Sequence, residues 1–269
     1  MEARDLLLVK LGGSLLTDKR RPGHLRTAVL ERLAAEVAGA LGDLRGALLI
    51  GHGSGSFGHV AAARHGLRAG LGDAPPIGAA DTQNEAARLH RSVCGALIEA
   101  GAPAWTWAPS TALTLEAGRP VTGDLRPLLG ALSAGMVPVT YGDVVVDREL
   151  GAAIASTEAV LGYLIRRLRR RSTGPRVRRV LWLGETAGIY DRDGLTVPTV
   201  DEGNRRRIRG MIGEAAGTDV TGGMLLRLDT TYALARLGIE SLIADGTVPG
   251  LAAAALRGED VPGTRVLPR

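Results

Sequence analysis

The sequence predicts an α/β fold, a three-layer sandwich on a mainly parallel central sheet, and three observations carry that prediction. Short apolar runs alternate with amphipathic stretches of helical period along nearly the whole chain. Glycine-rich turns stand where several of those runs end. The 269 residues, 45% of them hydrophobic, are enough for a substantial core, while a lone cysteine, Cys94, excludes a disulfide-stapled scaffold.

Residues 6–11 form a short apolar run closed by Gly12 and Gly13, a buried strand entering a glycine turn. Residues 27–41 place Leu30, Leu33, Ala34, Val37, Ala38 and Leu41 at helical spacing, with Thr27 as N-cap and Gly42 past the end. A strand at 47–50 follows, then a helix over 81–100 with Ala86, Leu89, Val93, Leu97 and Ala100 on one face, closed by Gly101. That face packs as core or flanks an apolar ligand tail. Strands are expected at 104–107, 137–141, 144–147, 177–183, 241–245 and 264–267, and helices at 156–171 and 223–237. The charge run over 166–179, broken by Ser172, Thr173, Gly174 and Pro175, reads as a solvated helix end, a turn and the hinge of one domain with two lobes, 1–170 and 171–269.

The first residues lack the long apolar region and cleavage site of a signal peptide, and no apolar run reaches the length of a membrane span. A cytoplasmic protein is expected. The formal charge of +5 raises nucleic acid as a partner, but aromatics are only 3%, which leaves few platforms for stacking bases. The basic charge is almost all arginine: Lys10 and Lys19 are the only lysines, both in one ten-residue segment beside two glycines. A compact, flexible ammonium is expected to be needed there in place of a planar guanidinium.

Glycine-rich segments at 10–14, 51–58 and 221–223 suggest a site surrounding several phosphates, because backbone N–H groups and positive helix ends collect at such junctions. The middle one, Gly51-His52-Gly53-Ser54-Gly55-Ser56-Phe57-Gly58-His59, fits a dinucleotide pattern through Gly53, Gly55 and Gly58, yet no second strand ending in an acid follows. It also spaces glycines as a P-loop does, with His59-Val60 where Lys-Ser/Thr is required. What remains is a glycine loop carrying His59, which can donate a hydrogen bond to a phosphate oxygen. His52 reads as structural, and His24, His65 and His90 as surface residues.

The run from Val9 through Lys10-Leu11-Gly12-Gly13-Ser14 to Thr17-Asp18-Lys19 resembles the opening of the amino acid kinase superfamily. The segment from His52 to His59 is similar to the signature of its isopentenyl phosphate kinase branch. Tyr141-Gly142-Asp143-Val144-Val145, Asp219-Val220-Thr221-Gly222-Gly223-Met224 and Asp245-Gly246 onward to Pro262-Gly263-Thr264 resemble later blocks in the same order. The resemblance implies transfer of the ATP γ-phosphoryl to isopentenyl phosphate with Mg²⁺ present, and a homodimer. It implies catalytic roles for Lys10, Lys19 and His59, and acceptor binding by Gly53, Ser54, His59 and Thr157. It further implies ATP binding by Lys10, Gly12, Gly13, Ser14, Gly55, Glu185, Tyr190, Gly222 and Arg227, with Glu158 orienting Lys10. No protein-held metal is implied.

Three positions depart from the family pattern. Ser156-Thr157-Glu158-Ala159 replaces Ser-Gly-Asp-Asp, Ala187 replaces an acid in Gly184-Glu185-Thr186-Ala187-Gly188-Ile189-Tyr190, and Arg227 replaces a lysine. They keep open a related kinase for a small phosphate or phosphonate such as fosfomycin, and a non-catalytic nucleotide or phosphate sensor. Lys10→Ala and His59→Ala are expected to lower turnover by orders of magnitude and leave the fold intact.

Overall fold

Alternation along the first strand, β1 (Asp5–Leu11), sets the architecture: Leu6 and Leu8 enter one hydrophobic core, Val9 and Leu11 the other. The computed structural model describes residues 5–18, 20–44, 46–215 and 221–269. After β1 come α1 (Gly13–Leu16), α2 (Thr27–Ala40), β2 (Ala47–His52), α3 (Gly55–Arg64), α4 (Pro76–Glu99), β3 (Ala104–Thr106) and α5 (Pro109–Ala112). Next are β4 (Leu113–Glu116), β5 (Arg119–Gly123), α6 (Arg126–Ser133), β6 (Val137–Tyr141), β7 (Asp143–Asp147), β8 (Gly151–Ala155) and α7 (Thr157–Arg169). The chain continues through β9 (Arg176–Gly184), β10 (Thr199–Val200), α8 (Arg205–Ala215), α9 (Thr221–Ala235), β11 (Glu240–Asp245), α10 (Leu251–Arg257) and β12 (Thr264–Val266).

Eight strands form the main sheet in the order β10-β12-β11-β9-β1-β2-β6-β3. It is parallel from β11 to β3, while β12 runs antiparallel to β11 and carries β10 with it. Leu49, Val180, Trp182 and Ile243 pack with α7, α8 and α9 on one face; Leu48, Ile50, Leu181, Leu183 and Leu242 pack with α2, α4 and α10 on the other. Strands buried on both faces read as continuous apolar runs, which is how β1, β2, β9 and β11 appear in the sequence. The expected three-layer sandwich is therefore present.

A second sheet, β5-β4-β7-β8, was not expected from the sequence. The strands expected at 137–141 and 144–147 do form, but Gly142 marks a change of sheet between β6 and β7. Two helix starts also differ. Arg26, not Thr27, holds the N-cap of α2, because the Arg26 carbonyl accepts the first-turn amides of Val29 and Leu30. The helix expected from 81 begins at Pro76, whose ring suits the first turn. In the 166–179 run, Arg166, Arg167 and Arg169 close α7, where cations complement the helix dipole, and β9 then enters the sheet directly beside β1.

Candidate functional site

The C-terminal ends of the central strands lie level, with Leu11 opposite His52 and Leu183, and Asp245 opposite Gly184. The turns beyond them are tied together by backbone. Gly12 N donates to Leu183 O at 2.8 Å, Gly53 N to Leu11 O at 3.0 Å, Gly142 N to His52 O at 3.0 Å and Gly246 N to Gly184 O at 2.8 Å. Ligands in open α/β folds bind beyond this edge.

The first two glycine turns touch each other. A Cβ on Gly13 would lie 2.6 Å from Gly55 N, and one on Gly53 would lie 2.8 Å from Gly13 N. Gly55 has φ +52, and a Cβ there would meet Thr17 Oγ1 at 2.3 Å. These glycines are thus required by loop-on-loop packing as well as by any approach of phosphate. Thr17, fully buried, joins the two loops by donating from Oγ1 to Gly13 O at 2.8 Å and accepting from Ser56 N at 2.9 Å. Sequence reading gave Thr17 no role, although it stands inside the run that carries both lysines. Ser14 is half-buried in α1, and Ser54 is buried at the N-cap of α3.

Lys10 is the continuation of Leu6 and Leu8 on β1, so alternation aims it at the face that carries α7 and α9. There its Nζ meets Glu158 Oε1 at 2.9 Å. Glu158 is delivered by the first turn of α7, where Ser156 Oγ caps the helix by accepting from Ala159 N at 3.1 Å. Burial lowers the Lys10 pKa, and Arg227 adds to that while Glu158 opposes it. Burial pushes the Glu158 carboxyl up, but the Lys10 ammonium, with Arg227 behind it, holds it below its ordinary value. Arg227 on α9 lies against Gly184, with Nη1 3.3 Å from where a Cβ would stand, and its buried Nε has no hydrogen-bond partner among the described residues. Two cations and one acid thus share a low-dielectric site at the strand ends, leaving a net positive charge suited to phosphate.

Glu158 is thus the acid paired with Lys10. Lys10→Ala would leave Arg227 alone to offset the largely buried Glu158 carboxylate, so a loss of stability is expected alongside the loss of turnover.

His59 is exposed on the second turn of α3. Thr157 is buried and donates from Oγ1 to His52 O at 2.7 Å, which ties α7 to the end of β2. Glu185 follows β9 and accepts from Arg26 Nη1 at 2.6 Å, a partner that sequence reading missed. Tyr190 Oη accepts from Ala187 N at 3.1 Å, closing the turn that lacks the second acid. Gly222 falls in the first turn of α9. Lys19 and the first two residues of the Asp219-Val220-Thr221-Gly222-Gly223-Met224 run lie outside the described residues. A separate open cavity of about 470 Å³ is lined by Asp191, Asp193, Arg206, Arg207 and Met211 among others.

His90 is a correction. It is buried at 3% exposure because it falls on the same helical stripe as Ala86, Leu89, Val93 and Leu97. His24 is exposed as expected, and His65 is half-buried against Asp81 at 2.8 Å. Leu89, Val93 and Leu97 belong to the core between α4 and the sheet.

The sequence model of the amino acid kinase family matches residues 5–245. This chain belongs to the amino acid kinase family. Within that family it is similar to the isopentenyl phosphate kinase of Methanothermobacter thermautotrophicus, 34% identical over 97% of this chain and 98% of the relative. The isopentenyl phosphate kinase of Haloferax volcanii is 32% identical over 85% of this chain and 88% of its own length. A crystal structure of isopentenyl phosphate kinase superposes with a TM-score of 0.78 at 31% identity, covering 97% of this chain and 99% of that one. In this amino acid kinase the departures at Glu158 and Arg227 meet in one cluster around Lys10. The third, at Ala187, lies in the Tyr190 turn beside β9.

Proposed function

We propose that this chain is an ATP-dependent isopentenyl phosphate kinase that makes isopentenyl diphosphate by direct phosphoryl transfer. The observation that carries the reading is the near full-length likeness to isopentenyl phosphate kinases, 34% identical over 97% of the chain. The Lys10 cluster supports it physically. Phosphoryl transfer needs positioning and charge neutralisation more than covalent chemistry. An oxygen of the acceptor phosphate bonds to the γ-phosphorus as the bond from that phosphorus to the β–γ bridging oxygen breaks, releasing ADP. The acceptor is already an oxyanion, so no strong general base is required.

In this reading the lobe formed by residues 1–170 holds the acceptor through His59, Gly53, Ser54 and Thr157. The lobe formed by 171–269 holds ATP through Glu185, Tyr190, Gly222 and Arg227. Gly12, Gly13, Ser14 and Gly55 shape the turns between the two. Lys10 neutralises charge on the group in flight, held in place by Glu158, and Lys19 adds a second ammonium. Magnesium supplies further neutralisation of the nucleotide phosphates. Glu158 is committed to Lys10, and in this reading Mg²⁺ would travel with the nucleotide phosphates. The enzyme works in the cytoplasm as a homodimer, and no described helix is long and apolar enough to cross a membrane.

An ADP-release assay on the purified chain tests the reading. ADP should form at a rate that saturates in both ATP and isopentenyl phosphate; ADP release that ignores the acceptor would overturn it.

A further inference from the structure

Beneath the acceptor loop lies a buried polar chain that the transfer chemistry does not use. His52 ends β2 at 0% exposure, His90 sits on α4 at 3%, and Tyr141 ends β6 at 2%. Their rings stack, with His90 and Tyr141 centroids 4.2 Å apart and His52 and His90 centroids 5.3 Å apart. His52 Nδ1 lies 3.1 Å from Gly53 O, His52 Nε2 lies 3.0 Å from His90 Nδ1, and His90 Nε2 lies 3.0 Å from Thr106 Oγ1. The Cys94 Sγ is 3.4 Å from His90 Nε2.

The chemistry of these groups fixes the ring protons of His52 and His90. A carbonyl oxygen only accepts, so His52 Nδ1 donates to Gly53 O. Burial holds His52 at a pKa of about 4 and His90 at about 3, so both rings are neutral at pH 7. A neutral imidazole that donates from Nδ1 accepts at Nε2, which requires His90 Nδ1 to donate to His52. His90 Nε2 then offers its single lone pair to the Thr106 hydroxyl at 3.0 Å. All hydrogen bonds run one way, from β3 through α4 to the glycine loop.

The end of this chain is the Gly53–Ser54 peptide. Gly53 N is already bound to Leu11 O at 3.0 Å, so with its carbonyl held by His52 the residue is clamped on both sides. In a trans peptide the next N–H points opposite to the carbonyl, so the Ser54 N–H is turned away from the imidazole. We propose that His52 and His90 form a neutral, one-directional hydrogen-bond relay that fixes this peptide, and that His90 is thereby a positioning residue for the phosphate acceptor. The part concerning the acceptor rests on the function proposed above.

Two measurements test it. His90→Phe keeps the ring and removes the relay; His90→Asn keeps a donor near the Nδ1 position. The phenylalanine variant should raise KM for isopentenyl phosphate at least tenfold and leave KM for ATP within about twofold, with asparagine recovering most of the loss. A folded His90→Phe with unchanged acceptor KM, or with both KM values raised equally, would overturn the proposal. Independently of folding of any variant, long-range proton–nitrogen spectra of the wild-type chain at pH 7 should show both rings neutral and protonated at Nδ1. An Nε2–H tautomer or an imidazolium at either histidine would overturn the relay. A wild-type chain that does not turn over isopentenyl phosphate would sink the functional reading instead, and the spectra would still decide whether the relay exists.

Discussion

Lys10 Nζ and Glu158 Oε1 stand 2.9 Å apart where β1 ends and α7 begins, with only 7% and 17% of the two side chains exposed. Opposite charges removed from water stabilise each other, and each is costly without its partner. Because Glu158 is the group that opposes the lowering of the Lys10 pKa by burial and by Arg227, removing its charge lowers that pKa further. The protonated ammonium is the form that neutralises phosphate. Glu158→Gln should therefore shift the alkaline limb of the kcat/KM profile to lower pH and reduce kcat at pH 8 by about tenfold or more. A pH–rate series on both proteins checks this. In the wild type the Glu158 carboxyl is held below its ordinary value, so its contribution to stability is complete above about 4.5 and is lost as pH falls through the folded-state value.

Arg227 shares the cluster, and its buried Nε has no hydrogen-bond partner among the described residues. Arg227→Lys keeps the charge on a flexible stem and should stay within about tenfold of wild-type kcat/KM, whereas Arg227→Ala should lose about a hundredfold or more. Steady-state kinetics in ATP distinguish the two; equal losses in both variants would mean that the planar fork itself is needed.

His59 is exposed, so its removal should leave the fold alone. His59→Ala is expected to change stability by no more than about 0.5 kcal/mol while lowering kcat/KM for isopentenyl phosphate by about a hundredfold. Thermal unfolding and kinetics on the same preparation separate the two effects.

Glycine positions divide sharply by their surroundings. Gly55→Ala would force an L side chain to φ +52 and drive its Cβ to 2.3 Å from Thr17 Oγ1, and should cost about 3 kcal/mol or more together with activity. Gly39, inside α2 with nothing within 4 Å of a new Cβ, should gain about 0.5–1 kcal/mol as alanine. Urea unfolding of the pair gives both signs in one experiment.

The main sheet was legible because its strands are buried on both faces and read as unbroken apolar runs between glycines; 6–11 and 241–245 land within a residue of β1 and β11. The β5-β4-β7-β8 sheet was not legible. β4 and β5 are short, β5 is largely exposed, and β8 reads as Gly-Ala-Ala-Ile-Ala, which carries neither alternation nor strand composition. Within the site, Lys10 stood out because lysine is so rare in this chain, and Glu158 was found as a displaced acid at a helix start. The Arg26–Glu185 contact joins residues 159 positions apart, which no local pattern encodes. His90 was legible and overlooked: its spacing from Ala86, Val93 and Leu97 places it on the buried stripe.

The most direct test of the account is a phosphorus NMR time course with the purified chain, ATP, Mg²⁺ and isopentenyl phosphate, run beside a tube holding fosfomycin in place of the acceptor. The isopentenyl phosphate singlet should give way to two coupled diphosphate doublets as ADP accumulates, while the fosfomycin resonance stays unchanged. An isopentenyl phosphate signal that persists while ATP still binds, or phosphorylation of fosfomycin alone, would contradict it.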